Sequence, residues 1–100
     1  MDKVFILLQE SNVDGEIIIN VTPWADLDSA KAVMKKEINT LLREGEFSGV
    51  DLNEIEECQN EEDTLCDYTL ERTDDSFYIS CIYDDYYEKL DIIEKEVVKM

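Results

Sequence analysis

The chain has 100 residues, of which 26 are Asp or Glu and nine are Lys or Arg, so its formal net charge at pH 7 is −17. Such a charge excludes nucleic acids and anionic membranes as direct partners at ordinary salt, and it favours basic protein surfaces or cations. Because the 44% apolar residues fall in periodic runs, we expect a folded chain, and the length predicts one domain over residues 1–100.

The N-terminal residues predict a β-hairpin. Residues 3–9 are almost entirely apolar, as in a buried strand. Residues 11–15 are expected to form the hairpin loop, in which Asp14 and Gly15 supply the positive φ values. Residues 16–21 are rich in β-branched side chains, as the returning strand would be. Pro23 is expected to end this strand, because proline has no N–H to donate to the ladder.

A helix is predicted from Asp26 or Asp28, either of which can serve as the N-cap, to about Glu44. Arg43 in the last turn complements the helix dipole, and Gly45 follows as the C′ residue. Apolar residues recur at three- and four-residue spacing and form one stripe that we expect to pack across the hairpin: Leu27, Ala30, Val33, Met34, Ile38, Leu41 and Leu42.

Residues 46–64 form an acidic connector between this helix and the C-terminal elements. Gly49 and the widely spaced Val50, Leu52 and Ile55 allow at most a helix of one or two turns, with Asp51 as a possible cap. The simpler interpretation, which we prefer from the sequence, is a charged surface loop. Its acidic residues include Glu54, Glu56, Glu57, Glu61, Glu62 and Asp63.

The remaining residues predict a β-meander. Residues 65–72 alternate in polarity, and residues 77–83 form a second strand between turns at 73–76 and 84–85. Residues 86–98 fit either a strand or a helix, and the short turn before them favours a strand. The sequence therefore predicts the α+β class: an antiparallel sheet, made of the hairpin and the meander, with one main helix on one face, in the order ββαβββ or, with a terminal helix, ββαββα.

Nothing in the sequence predicts a membrane segment or a secreted protein. The apolar run at residues 4–8 is five residues long, whereas a signal-peptide core needs about seven to fifteen and a membrane span about twenty. We therefore expect a cytoplasmic protein in which Cys58, Cys66 and Cys81 are free thiols. Cys66 and Cys81 lie in predicted strands and are expected to be buried, while Cys58 is expected to be exposed.

Residue types that support catalysis or metal binding are sparse. The chain has no histidine, which is the commonest general base and metal ligand. The cysteines, at 58, 66 and 81, match no zinc spacing, and the three glycines form no phosphate-binding loop. Paired acids such as Asp26 and Asp28 arise by chance at this composition. We expect no enzymatic activity, no catalytic residue, no metal site and no cofactor.

The C-terminal half predicts a surface for a basic partner, because residues 51–100 carry −13 of the net charge. Carboxylates two apart on a strand, or three to four apart on a helix, are about 5–7 Å apart, which is near the spacing of successive phosphates. Tyrosines beside them can pack on arginine, although one or two are equally well explained as core residues. The candidate partner-binding residues are Asp67, Glu71, Asp74, Asp75, Tyr83, Asp84, Asp85, Tyr86, Tyr87, Glu88 and Asp91.

In size, in charge and in the acid-and-tyrosine stretch from Asp67 to Glu96, the chain resembles small acidic phage-encoded anti-defence proteins, which include anti-CRISPR and anti-restriction DNA mimics. The resemblance is to a class and involves no shared motif. It implies a stoichiometric inhibitor in the cytoplasm of a bacterial host, where it blocks the DNA- or RNA-binding groove of a nuclease, with a CRISPR effector nuclease as the favoured target.

A second function fits the same sequence. A small structural or adaptor protein of a phage or mobile element could be acidic for solubility and dimeric through the edge of its sheet. We favour the inhibitor, because solubility alone requires a net charge of only about 2–8 in a small domain.

Overall fold

A computed structural model describes residues 3–45, 47–61, 65–83 and 86–96. Over these residues one antiparallel sheet is formed, with the strand order β2-β1-β5-β4-β3. The predicted α+β class is confirmed, and the order of elements differs from ββαβββ by one added helix, α2. The elements are β1 (Lys3–Val13), β2 (Glu16–Trp24), α1 (Leu27–Arg43), α2 (Leu52–Asn60), β3 (Tyr68–Arg72), β4 (Ser76–Cys81) and β5 (Tyr87–Glu96).

Strands β1 and β2 form the predicted hairpin, but β1 continues to Val13 through residues 11–13, which were predicted as loop. Asp14 at φ 54° and Gly15 at φ 86° make its two-residue turn, and nine residue pairs follow, from Val13–Glu16 to Phe5–Trp24. The prediction that Pro23 ends the second strand is wrong. Residue pairs in an antiparallel ladder alternate between hydrogen-bonded and non-hydrogen-bonded pairs. Counted from the Val13–Glu16 pair at the turn, the pair of Ile6 with Pro23 is a non-hydrogen-bonded one. The missing N–H of Pro23 therefore removes no hydrogen bond to β1.

Strand β5 lies in the middle of the sheet and joins the hairpin to the rest of the chain. It pairs with β1 over ten positions, from Lys3–Glu96 to Asn12–Tyr87, and with β4 from Ser76–Asp91 to Ser80–Tyr87. The preferred strand for the last element is thus confirmed over residues 87–96, and a helix there is wrong; residues 97–100 lie outside the described part. The predicted turn at 84–85 also lies outside it.

Helix α1 begins at Asp26, whose side chain accepts hydrogen bonds from the Ser29 N–H at 2.7 Å and the Ser29 hydroxyl at 2.9 Å. These bonds lower the pKa of the Asp26 carboxyl. At the other end Gly45, at φ +90°, follows the C-cap residue Glu44. Both ends of the helix therefore confirm the predicted caps. The helix contacts β1, β2 and β5, and it buries Ala30 and Met34.

The core lies between the two helices and one face of the sheet, which we call the helix-covered face. The registers place Leu7, Leu70, Phe77, Ile79 and Leu90 on this face, and all five are buried. Met34 from α1, Ile55 from α2 and Phe47 from the connector complete the cluster. The opposite side of the sheet, the open face, has no helix packed on it among the described residues.

One acidic side chain, Glu88, is also buried on the helix-covered face and is 8% exposed. The Ser11 hydroxyl on the neighbouring strand β1 donates a hydrogen bond to its carboxylate, with an oxygen–oxygen distance of 2.5 Å. Burial raises the pKa of Glu88, and the bond from Ser11 offsets part of that rise. The charged form of Glu88 is therefore less stable in the folded protein than in the unfolded chain.

We predict that Glu88→Gln stabilises the protein at neutral pH. A group whose pKa is raised on folding favours the folded state below its unfolded pKa, and this contribution is lost as pH rises through the folded pKa. Glutamine keeps an acceptor for Ser11 and carries no charge, so the Tm should rise by a few degrees at pH 7 and the gain should vanish near pH 4. Glu71→Gln, on an exposed strand position, is the control. A gain that is equal at both pH values would contradict the prediction.

Candidate protein-binding surface

Helix α2 occupies the acidic connector. Its N-cap is Asp51, whose carboxylate accepts hydrogen bonds from the N–H groups of Asn53 at 2.9 Å and Glu54 at 3.4 Å. Ile55 points into the core and is 6% exposed. The preferred prediction of a charged loop is therefore wrong, and the alternative of a short helix capped by Asp51 is correct, at nine residues.

The outer side of α2 carries a line of carboxylates. Asp51, Glu54, Glu57 and Glu61 follow one another at intervals of three, three and four residues, and all four are exposed. This spacing puts them on one side of the helix with neighbours about 5–6 Å apart at Cβ. We call these four residues the α2 acidic row. The sequence predicts Asp51 as a possible cap and the other three as acids of a charged loop, and their three- and four-residue spacing defines a row only once the segment is known to be helical.

No cation interrupts the sequence around this row. From residue 44 to residue 71 the chain contains eleven Asp or Glu and no Lys or Arg. The last turn of α2 also lacks a basic residue, so Glu57 and Glu61 lie near the end of the helix where the dipole favours positive charge. Neighbouring like charges on a helix are destabilising as well. Asp51 and Glu54, at the start of the helix, are favourable there. Glu57 and Glu61 are unfavourable for the helix itself, and contacts with the rest of the fold offset their cost.

Hydrogen bonds, a core contact, an ion pair and a disulfide attach α2 to strand β3 and to the segment before it. The Gln59 side-chain amide donates to the Leu70 carbonyl at 3.1 Å and accepts from the Leu70 N–H at 2.8 Å, which satisfies the outer edge of β3. Ile55 packs in the core. An ion pair joins Glu56 to Arg72, and a disulfide joins Cys58 to Cys66.

The disulfide corrects the prediction that Cys58 and Cys66 are free thiols and that Cys66 is a buried apolar residue. The correction arises because α2 was not expected: its last turn brings Cys58 beside the segment that leads into β3, with the two Cα atoms 6.0 Å apart. That separation is within the usual range for a disulfide. Cys81 is a free thiol, as predicted, and it is only partly buried.

A cleft of about 350 Å³ lies between α2 and the start of β3. The carboxylate residues Asp51, Glu54 and Asp67 line it, together with Ile55 and Tyr68. Asp67 is therefore the predicted site residue that the structure brings next to the α2 acidic row.

Exposed apolar side chains flank Asp67. Leu65, two residues before it, is 88% exposed, and Tyr83 is 71% exposed. The backbone connects the two segments, since the Ile82 N–H donates to the Asp67 carbonyl at 3.0 Å; Ile82 is itself 49% exposed. An aromatic and two aliphatic side chains beside a line of carboxylates have the mixed composition of a protein-binding surface.

The other predicted site residues are dispersed. Asp74 and Asp75 are exposed in the turn between β3 and β4. The six residues of β4, which span about 20 Å at the usual rise per residue, separate them from the segment that contains Tyr83. Tyr86 and Glu88 lie toward the helix-covered face, where Tyr86 packs against the core and Glu88 is buried. Two further predicted residues, Asp84 and Asp85, lie outside the described part of the chain.

Three of the predicted residues lie on the open face: Glu71, Tyr87 and Asp91. The Tyr87 hydroxyl donates to the Glu10 carboxylate at 2.5 Å, and this bond raises the pKa of Tyr87. Asp91 is 3.8 Å from the Lys89 ammonium. Two carboxylates of this face, those of Glu10 and Asp91, are thus engaged with neighbouring side chains.

Comparison of the chain with protein-family models, with curated proteins and with solved structures finds no match. Within the described ranges no helix is long and apolar enough to cross a membrane, and no group of three or more Cys, Asp or Glu side chains is placed to hold a metal ion.

We predict that Gln59→Leu destabilises the protein by about 1–3 kcal/mol, because it leaves the N–H and C=O of Leu70 without their partner in a partly buried position. The loss can be measured by urea unfolding followed by the fluorescence of Trp24, with amide hydrogen exchange of Leu70 as the local readout. Asn60→Leu, an equivalent change at the next, exposed position, is the control. If both variants lose the same stability and Leu70 exchange does not accelerate, Gln59 does not protect this edge.

Proposed function

We propose that the protein is a non-enzymatic inhibitor that imitates nucleic acid and occupies the basic groove of a nucleic-acid-binding protein, with a bacterial CRISPR effector nuclease as the favoured target. In this proposal the α2 acidic row and Asp67 take the place of backbone phosphates. Leu65, Ile82 and Tyr83 supply the apolar contacts beside them.

The observation that carries the proposal is the α2 acidic row, on a helix attached to β3, in a stretch of sequence from 44 to 71 without Lys or Arg. The exposed side of α1 is different, because Lys31, Lys35 and Lys36 lie on that helix among its acids. An uninterrupted negative surface matches a Lys- and Arg-lined groove better than a mixed one, and it steers association with such a groove.

The position of the acidic residues on α2 also argues against the view that they serve solubility alone. Charges that serve solubility can be placed where they stabilise the fold. Glu57 and Glu61 instead oppose the dipole of their helix. Their cost is offset by the attachment of α2 through Gln59 and Arg72, which is the pattern expected when a functional surface is held by a stable scaffold.

A pull-down from lysates of bacteria that carry CRISPR systems tests the proposal, performed at about 50 mM and 500 mM salt. We expect a basic nucleic-acid-binding protein, identified by mass spectrometry as a nuclease, to be retained at the lower salt and lost at the higher. Replacement of about four phosphate-like contacts predicts roughly a 100-fold loss of affinity between 50 and 200 mM salt, because the counterions of both surfaces are released on binding. Recovery of structural phage proteins at both salt concentrations would argue for the adaptor function instead.

We predict that the triple variant Glu54→Lys, Glu57→Lys and Asp67→Lys binds the captured nuclease at least ~10-fold more weakly, because each lost charge pair is worth ~0.5–1 kcal/mol and the new lysines repel the groove. The control is Glu16→Lys, Glu44→Lys and Glu96→Lys, which reverses three exposed acids elsewhere and changes the net charge equally. Competition against fluorescent target DNA measures both. Equal weakening in the two variants would mean that total charge, rather than the surface on α2, governs binding.

A further inference from the structure

The two edge strands of the sheet, β3 and β2, differ in whether their outward backbone groups are hydrogen-bonded. At the β3 edge, Gln59 bonds both backbone groups of Leu70. At the β2 edge, no hydrogen bond from the described residues reaches the outward backbone groups. Ile17, Ile19 and Val21 are 56%, 56% and 57% exposed, whereas an edge strand is usually protected by a charge, a bulge or a covering element.

The direction of each backbone group on β2 follows from the hairpin register. The two-residue turn makes Val13 and Glu16 a bonded pair, so every second residue from Glu16 bonds to β1. Ile17, Ile19 and Val21 therefore direct their N–H and C=O groups away from β1, into solvent. The backbone of Pro23 also faces away from β1. Because proline has no N–H to donate, the row of outward hydrogen-bonding groups ends at this residue.

This edge is also the part of the chain with the least charge. Residues 17–25 are nine consecutive uncharged residues in a chain of net charge −17. On the open face the apolar surface continues inward from β2, because Val21 lies opposite Leu8 and Pro23 opposite Ile6. A second copy of the same chain, which is repelled from nearly every other surface, meets the least repulsion here.

We infer that β2 pairs with β2 of a second copy in antiparallel orientation, about a two-fold axis at Ile19, so that the two sheets join into one. The edge runs from Gly15 in the turn, whose N–H donates to the Asn12 side chain, to Pro23, and Ile19 is its midpoint. This register is therefore the one that uses the whole edge in both copies.

The side chains agree with the register. Ile19 lies opposite its own copy, and Ile17 lies opposite Val21, so the central pairs are β-branched and apolar, which favours strand pairing. Glu16 lies opposite Thr22, which keeps the two Glu16 carboxylates at opposite ends of the interface. The inference is independent of the proposed function, since that function uses the other end of the sheet.

The expected interface is small. Nine residues at about 3.4 Å each, with a sheet thickness of ~10 Å, cover roughly 300 Å² of each copy, well below the ~800 Å² per partner of a standard interface. The dimer should therefore depend on concentration. It should also strengthen with salt, which screens the repulsion between the copies, whereas the complex with a basic groove weakens with salt.

Sedimentation equilibrium from about 10 µM to 1 mM, at 50 and 500 mM salt, tests the inference. We expect a monomer–dimer equilibrium whose Kd falls at the higher salt. Ile19→Lys should raise the Kd at least ~10-fold, because it places two like charges directly opposite each other. Ile93→Lys, the same change on the open face two strands away, should leave the Kd within about twofold.

The register has its own test. In a Cys81→Ser background, Ile19→Cys should form a disulfide-linked dimer on mild oxidation, because opposed residues in a bonded pair have Cα atoms about 5.5 Å apart. Ile18→Cys is the matched control, since its copy would be roughly 8 Å away, beyond the reach of a disulfide.

Several results would overturn the inference. A monomer at every concentration and salt would do so, as would a dimer that Ile93→Lys disrupts and Ile19→Lys does not, which would indicate packing of the open faces. Equal cross-linking of the two cysteine variants would also reject the register. None of these results bears on whether the protein binds a nuclease.

Discussion

The pairing of β1 with β5 is the contact on which the rest of this fold depends. It joins two segments that are almost the whole chain apart, and it places the N-terminal hairpin and the C-terminal strands in one sheet. It also brings three lysines into the two central strands, where they lie among five acidic residues. Lys3 on β1 pairs with Glu94 at 3.3 Å, and Lys89 and Lys95 lie on β5. Two of the four basic residues in the acidic half of the chain are thus used in the central strands.

Helix α2 packs on β3, at the edge of the sheet two strands away from β5. Among the described residues, Arg72 is the basic residue that the structure shows bound to α2, through Glu56 and Asn53. The helix is stable because backbone and core contacts hold it, while its outer carboxylates stay at the surface. Stabilising contacts and charged surface are therefore on opposite sides of the same nine residues.

Much of the fold could be predicted from local patterns. The hairpin turn at Asp14 and Gly15, the caps of α1 and the alternation in β3 and β4 each depend on residues close together in sequence. Pro23 was misjudged because its tolerance depends on which way its N–H position faces, and only the register defines that. Phe47 lies outside every predicted element, yet it is 2% exposed, since its burial depends on α2 packing nearby.

The candidate site was harder to predict for the same reason. Seven apolar residues mark α1, whereas α2 contributes only Leu52 and Ile55 to the core side, too few for a convincing stripe. Without α2, the disulfide between Cys58 and Cys66 could not be anticipated, and the acids of residues 51–61 could not be placed on one side of a helix. Glu88 shows the opposite error: its position among exposed acids in the sequence gave no sign that a strand would turn it toward the core.

The hairpin has a further consequence for how the chain reaches its native state. Its contacts are local, so it can form within microseconds, whereas β5 must close a loop of most of the chain before it can dock, which is typically a much slower event. Until then β1 as well as β2 presents an open apolar edge, the condition in which partly folded chains aggregate. The net charge of −17 therefore makes partly folded chains repel one another before β5 docks, when they are most prone to aggregate.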